Sequence, residues 1–434
     1  MNQLMGLKSG KLGFLKGDFL KNVSLMMSGT IVAQLITVLT APVLTRLYEA
    51  DALGVYSMYV SIISVWSVAA AFRYELAIVL PRDERDGDGL FLLSSLSVLL
   101  MSAICCAVVF AAGPAVSERM GVPELTPWLA WIPCSLLAMG LYQNLNYWST
   151  RNARFKRLSL SQAVRSVAVS AMQLAAGFFG IGTVGLIGGH FAGQSAASAV
   201  LGLQGWRECG SRLKRAMSWR HLRSLARQYA EFPLYSTPQA LLNALSQNLP
   251  VFMLAIFYDT RVVAFYAISI RLLQLPVTLV SQSVRQVFLQ QASEAKHDGD
   301  RAVRMFRKLT LTLAMLAAVP LIVLTAFGPP LFQAVLGPEW HEAGQYARWM
   351  AVWLFFAFVN PPANVLSTVF GMQRMLLAYE CALLAFRFGA LYVGGLYLNP
   401  LGCVAVYSIV GAVFNLFLIL GVQSSVRKKA RMAV

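Results

Sequence analysis

EFPLYSTPQALLNALSQNLPVFMLAIFYDTRVVAFYAISIRLLQLPVTLVSQSVRQVFLQQASE, residues 231–294, reads as two long apolar segments joined by a short turn at Asp259-Thr260. A soluble core hairpin would not carry Pro238, Asn243, Gln247 and Pro250 in its first segment, or Arg271 and Arg285 in its second. Polar and charged groups inside spans long enough to cross a bilayer are costly, and they mark a route through it. The stretch also echoes the start of the chain. Tyr48-Glu49 followed by Tyr56 recurs, 210 positions later, as Tyr258-Asp259 followed by Tyr266. This pattern points to one half of a two-lobed transporter.

The composition supports that scale. Of 434 residues, 57% are hydrophobic and 13% charged, against about 25% charged in an ordinary soluble domain. Several windows of about 20 apolar residues define a polytopic membrane protein. The net charge of +17 does not indicate a nucleic-acid binder, because the basic residues lie between apolar spans and not on one face. Cys105, Cys106, Cys134, Cys381 and Cys403 fall inside spans and Cys209 in a basic segment, giving neither a disulfide framework nor a zinc spacing. The four histidines are scattered, so no metal site is expected. Residues 1–22, lysine-bearing and without a compact apolar core, suit either an amphipathic segment on the inner membrane surface or an untethered tail, and not a signal peptide.

Twelve spans are expected, near 22–45, 53–79, 89–112, 126–147, 159–180, 184–205, 233–256, 262–290, 309–328, 348–370, 376–397 and 401–423. Of the 36 Lys and Arg, 27 then fall on the side of the N-terminus and four (Arg46, Arg119, Arg261, Arg348) on the other. That asymmetry places both termini in the cytoplasm. The charge-rich stretch 207–230 reads as a linker between a six-helix lobe at 1–206 and a second at 231–434. Its Leu213, Met217, Leu222 and Leu225 among arginines suggest an interfacial helix. Gly185, Gly189 and Gly193 form a small-xxx-small series for close helix approach. Pro42 and Pro250, just before the matched tyrosines, are expected to kink spans one and seven as paired interruptions in a transporter's pathway.

Five arginines remain within spans: Arg73, Arg165, Arg271, Arg285 and Arg387. Arg165 and Arg387 occupy equivalent spans, five and eleven. Glu75 offset by 210 falls on Arg285, so an acid in one half corresponds to a base in the other. Arg73 and Arg285 are close enough to the inner surface to snorkel, whereas the other three lie deeper. Five bases against Glu75 and Glu380 give a net-positive cavity. Arginine suits bidentate contact with phosphate oxygens, so the expected cargo is anionic and phosphate-bearing. The candidate substrate-binding set is therefore Arg271, Arg387, Arg165, Arg73 and Arg285, with Glu75 as candidate charge partner. Asn243, Ser246, Gln247 and Asn248 in span seven suit either sugar hydroxyls or helix packing.

LTAPVLTRLYEADALGVYSMYVSI (39–62), FRYELAIVLPRDE (72–84), EFPLYSTPQALLNALSQNLPV (231–251) and FYAISIRLLQLP (265–276) resemble the Wzx-type polysaccharide flippases. These belong to the multidrug/oligosaccharidyl-lipid/polysaccharide exporter superfamily of the bacterial inner membrane. The resemblance spans nearly the whole chain. It implies an all-α fold of twelve transmembrane helices in two six-helix lobes around a V-shaped cavity. It also implies alternating-access translocation of an undecaprenyl-pyrophosphate-linked oligosaccharide to the periplasmic leaflet, for O-antigen, capsule or exopolysaccharide synthesis. Family members carry cationic cavity residues, a role that maps here onto the five arginines. Membrane lipids and other polysaccharide-assembly proteins are the further partners implied, and no nucleic acid is. No cofactor is expected, and proton or sodium stands as the coupling ion.

Two alternatives share parts of this pattern. A multidrug-type antiporter would want carboxylates deep in spans one and seven for cationic drugs, and none is well inside them. A membrane polysaccharide polymerase or ligase would want a catalytic constellation. The sequence shows no paired carboxylates, nucleophile motif or phosphate-cradling glycine loop, so an enzyme is not expected.

Overall fold

The computed structural model describes residues 29–119, 121–294 and 299–432. The amphipathic reading of residues 1–22 and the start of span one lie outside them. Twelve long helices follow one another. They are α1 Gly29–Leu47, α2 Ala50–Ala70, α3 Glu84–Arg119, α4 Ile132–Arg151, α5 Phe155–Phe178 and α6 Thr183–Ala216. Then come α7 Thr237–Phe257, α8 Thr260–Glu294, α9 Gly299–Leu336, α10 His341–Val359 resuming as Pro361–Val369, α11 Gln373–Tyr397 and α12 Pro400–Met432. Each overlaps one of the twelve expected spans, and no strand occurs among the described residues.

Among the described residues nine of these helices are long and apolar enough to cross a membrane, and α4 joins them if its 56° bend from Pro123–Leu129 lies within one span. The remaining two, α5 and α6, fall short because they carry Arg165, Gln173, His190 and Gln194. Gln173 and Gln194 are buried inside the unit, and Gln173 Nε2 donates to the Leu186 carbonyl at 2.9 Å. The glycine series on α6 explains their closeness. A Cβ on Gly185 would collide with Ala176, one on Gly193 with Val169, and one on Gly189 would lie 2.8 Å from Gln173. This antiparallel ladder is packing, as the small-residue spacing suggests.

The chain divides into two compact units, Met1–Asn248 and Leu249–Val434, the division falling within α7. The internal repeat is visible within each. In the first unit the Tyr48 hydroxyl, in the α1–α2 turn, donates to the Gln173 carbonyl on α5 at 2.6 Å. In the second the Tyr258 hydroxyl, in the α7–α8 turn, donates to the carbonyls of Gly394 (3.1 Å) and Leu398 (3.0 Å) at the end of α11. Eight residues on, Tyr56 hydrogen-bonds His190 of α6 at 3.2 Å, and buried Tyr266 faces Tyr407 of α12. The echoed residues thus tie the same pairs of helices, second to sixth and first turn to fifth, in both repeats.

The segment FRYELAIVLPRDE folds as a knot between α2 and α3. Phe72 and Arg73 take left-handed φ angles of 49° and 60°, a costly choice for residues with a Cβ. They turn the chain into the short helix Tyr74–Ala77. Arg151, at the end of α4, donates to three carbonyls that follow: Ile78 (2.9 Å), Pro81 (2.7 Å) and Asp83 (2.7 Å). The helix Trp219–Gln228 closes the knot. Its Leu222 and Leu225 are buried, and Leu225 packs with Tyr74, Ala77, Ile78, Leu90 and Trp148. Its apolar edge therefore meets protein, while Arg220, Arg223 and Arg227 are exposed.

Two expectations shift. The interior prolines Pro42 and Pro250 lie in helices that run on without a break, Gly29–Leu47 and Thr237–Phe257. The irregular backbone falls at Phe232–Ser236, a π-helical turn. Such a wide turn inserts a residue into the helical ladder, which relieves crowding by the Pro233 ring.

Candidate functional site

Arg387 is the most constrained of the five arginines. Its guanidinium lies against two rings that touch each other, 4.6 Å from the Trp353 centroid on α10 and 4.8 Å from the Tyr407 centroid on α12. The floor of this slot is Gly411, one turn past Tyr407, where a Cβ would stand 2.7 Å from Arg387 Nη2 and 2.7 Å from Trp353 Cδ1. Its Nε is buried and makes no hydrogen bond among the described residues. The two rings meet edge to face, 5.6 Å apart at 79°, so together they form a corner that the guanidinium occupies, and its N–H groups remain the part that pairs with a planar or tetrahedral oxyanion.

Arg165 sits in the matching place of the first unit. Its guanidinium lies 5.2 Å from the centroid of Tyr142 on α4, as Arg387 of α11 lies over Trp353 of α10. The Tyr142 hydroxyl approaches Ser161 Oγ at 3.4 Å, which holds the ring in position beneath the charge. Equivalent spans thus place equivalent guanidiniums on the ring of the preceding helix.

Arg73 and Glu75 meet each other. Arg73 Nη1 stands 3.6 Å from Glu75 Oε1, with the carboxylate almost fully buried and the arginine side chain 30% exposed. Arg73 Nε and Glu75 Oε2 have no hydrogen-bond partner among the described residues. A buried charge of either sign is costly alone, so the pair holds together. Arg271, on α8, is half-buried, and Arg285 is exposed toward the C-terminal end of the same helix. Neither makes an ion pair or ring contact among the described residues.

The polar cluster of α7 is satisfied along its own helix. Gln247 Nε2 donates to Asn243 Oδ1 at 2.7 Å, and Asn248 Nδ2 donates to the Ala244 carbonyl at 2.8 Å. Among the described residues no group of three His, Cys, Asp or Glu side chains is placed to hold a metal ion.

Sequence reading missed the seats of the arginines and one buried polar pair. Asn360, at the interruption of α10, donates from Nδ2 to Asn415 Oδ1 at 2.6 Å, and Asn415 Nδ2 donates to the Gly411 carbonyl at 2.7 Å. The signal was present in α12: Tyr407, Gly411 and Asn415 recur every four residues, which puts them on one face.

Residues 43–345 match the model of a family described as polysaccharide biosynthesis protein. No curated protein matches the sequence. Among solved structures, the chain is similar to the lipid II flippase MurJ in an inward closed conformation, at 13% identity and a TM-score of 0.70 over 94% of this chain and 90% of that one. It is also similar to a multidrug resistance MATE family transporter of the MOP superfamily, inward-facing, at 14% identity and a TM-score of 0.65 over 89% of this chain and 96% of that one. A third is a MOP superfamily transporter from Pyrococcus furiosus described by the reverse polarity of its binding pocket. It is 14% identical, with a TM-score of 0.59 over 93% of this chain and 94% of that one. The fold is shared with these transporters.

Proposed function

The chain belongs to the polysaccharide biosynthesis protein family, and from that premise we propose that it is a flippase. Its cargo is an undecaprenyl-pyrophosphate-linked oligosaccharide, moved to the periplasmic leaflet of a bacterial inner membrane by alternating access. The products served are O-antigen, capsule or exopolysaccharide. The observation that carries the reading is the pair of intramembrane guanidiniums, Arg165 and Arg387, seated on rings in matched helices of the two repeats. A bilayer span tolerates an arginine where it meets protein, water or an anion. A pyrophosphate supplies that anion, and the Arg387 guanidinium, whose Nε has no hydrogen-bond partner among the described residues, is the contact suited to it. Arg271 adds a further half-buried cation on α8. The cargo leaves as it entered, so the protein contributes binding and no bond-breaking step.

Purified protein in proteoliposomes tests this directly. A lipid-linked oligosaccharide is expected to become accessible from the opposite leaflet without chemical change, and chain elongation or cargo-independent drug transport would overturn the reading. In a complementation assay, Arg271→Ala and Arg387→Ala are expected to lose polymer export, with lysine retaining more than alanine at each position. Full export by both alanine variants removes the cationic-site basis.

A further inference from the structure

An apolar cavity of about 300 Å³ lies wholly within the second unit. Its walls are α8 between Leu272 and Val280 and α9 between Leu316 and Leu324. Its floor is α10 between Ala351 and Phe358, and every lining side chain is apolar. The cavity exists because α8 and α9 both pack on α10 far more than on each other, which leaves a trough between them. The floor is closed and the rim is open. Ala351, Leu354 and Phe358 are buried, whereas Pro276 on α8 and Leu316 and Pro320 on α9 are exposed. The proline at the rim of each helix removes one helical hydrogen bond, so both helices are weakest against bending at this level.

An apolar trough in a bilayer meets hydrocarbon, and leaving it void forfeits the dispersion contacts that a chain supplies. The rest of α9 selects the chain. Arg304, Lys308, Thr312, Leu316 and Pro320 follow one another at intervals of four, and all five are exposed. Such a row forms a slanting ridge on a helix surface. This one leads from two cations into the rim of the cavity. Leu316 and Leu324 stand eight and sixteen residues beyond Lys308, about 12 and 24 Å at 1.5 Å per residue. Half of a bilayer, headgroups included, is about 20–22 Å thick. A phosphate at Arg304 and Lys308 therefore puts the end of its own acyl chain inside the cavity. A zwitterionic headgroup offsets its phosphate with a cation, whereas an anionic one keeps the full attraction of the basic pair. An undecaprenyl chain, far longer than half a bilayer, has no such match.

We propose that the trough between α8 and α9 binds an anionic diacyl phospholipid, its phosphate held by Arg304 and Lys308 and one acyl chain lying in the cavity. The chain is a wedge that sets the spacing of the two helices. Leu272 on the α8 wall directly follows Arg271, so the same wedge steadies the helix that carries this cation. Occupancy depends neither on the cargo nor on transport.

The test uses the purified full-length protein, delipidated in detergent. Thermal unfolding is read against added dioleoylphosphatidylglycerol, dioleoylphosphatidylcholine or undecaprenyl phosphate. Phosphatidylglycerol is expected to stabilise wild type at a concentration roughly fivefold or more below that needed of phosphatidylcholine. Arg304→Gln/Lys308→Gln is expected to abolish that preference. Arg220→Gln/Arg223→Gln, which removes the same charge from exposed positions elsewhere, is expected to retain it. Leu316→Trp at the exposed rim and Ala317→Phe on the buried wall are expected to weaken the response to both phospholipids, and the rim variant reports even where the buried one fails to fold. Equal action of the two phospholipids on wild type, the same loss of preference in the control pair, or an undiminished response in Leu316→Trp overturns the site. A Leu316→Trp protein that loses its response to undecaprenyl phosphate but keeps that to phosphatidylglycerol overturns it as well, because the trough then holds the chain of the cargo. None of these results decides the flippase reading, which stands on its own proteoliposome test.

Discussion

Arg387 illustrates how a single residue is specified by its surroundings. Each ring contributes about 0.5–2 kcal/mol of cation–π attraction, and the slot exists because position 411 lacks a side chain. Gly411→Ala leaves the charge present but crowds Nη2 and the Trp353 ring, at a cost of about 1–3 kcal/mol. It is expected to reduce export in the complementation assay as Arg387→Ala does, and export at the wild-type level would show that the slot does not matter. The retained activity of Arg387→Lys is expected to be smaller than that of Arg271→Lys, because an ammonium does not stack as a guanidinium does. The tyrosine echo was legible in the sequence at this scale, since Tyr48 and Tyr258 could be matched by position alone. What they bond to was not, because the carbonyls of Gln173, Gly394 and Leu398 lie more than a hundred residues away. Tyr258→Phe and Tyr48→Phe each remove one hydroxyl proton donor, shared between two carbonyls in the first case, worth about 1 kcal/mol. Thermal unfolding should therefore show comparable losses for the two variants, and an unchanged midpoint in either would remove its tie.

Elements were read well where apolar length decides them and less well where polar groups are paid by tertiary contact. All twelve long helices coincide with expected spans, yet α5 and α6 are only marginally apolar. Their polar residues face partners that periodicity does not reveal, such as the Leu186 carbonyl for Gln173. The helix Trp219–Gln228 looked like a membrane-surface element because its leucines alternate with arginines. In the folded unit both leucines are buried, Leu225 against Leu90, Trp148 and the short helix Tyr74–Ala77. The quoted motif FRYELAIVLPRDE proves to be scaffold as much as site: Glu75 pairs with Arg73, and the following loop hangs on Arg151. Arg151→Ala leaves three carbonyls without their donor, and a charged hydrogen bond contributes about 1.5–3 kcal/mol. The expected outcome is faster protease cleavage near Pro81–Asp83, while Arg220→Ala, at an exposed position, serves as a control for lost positive charge. Equal cleavage in the two variants would remove the clamp role.

For the whole molecule, the decisive quantity is the number of crossings. The sidedness inferred from basic residues requires that α5 and α6 both traverse the membrane, although neither reaches the apolarity of its neighbours. Their length argues that they do. Phe155–Phe178 has 24 residues, about 36 Å at 1.5 Å per residue, against a hydrocarbon core of about 30 Å. Arg165 then lies well inside the span, over Tyr142, where only a protein-lined setting holds it. Three crossings, α4 to α6, separate Gly113 from Arg215, so reporter fusions at these two positions should fall on opposite sides. A fusion at Gly180, between α5 and α6, should fall with Gly113. If α5 and α6 instead dipped in and returned as a re-entrant pair, Gly180 would fall with Arg215, because α4 alone would separate both from Gly113. If only one of the pair crossed, Gly113 and Arg215 would report the same side. The three fusions together therefore count the crossings from α4 to α6, and Gly180 on the side of Gly113 with Arg215 opposite fixes them at three.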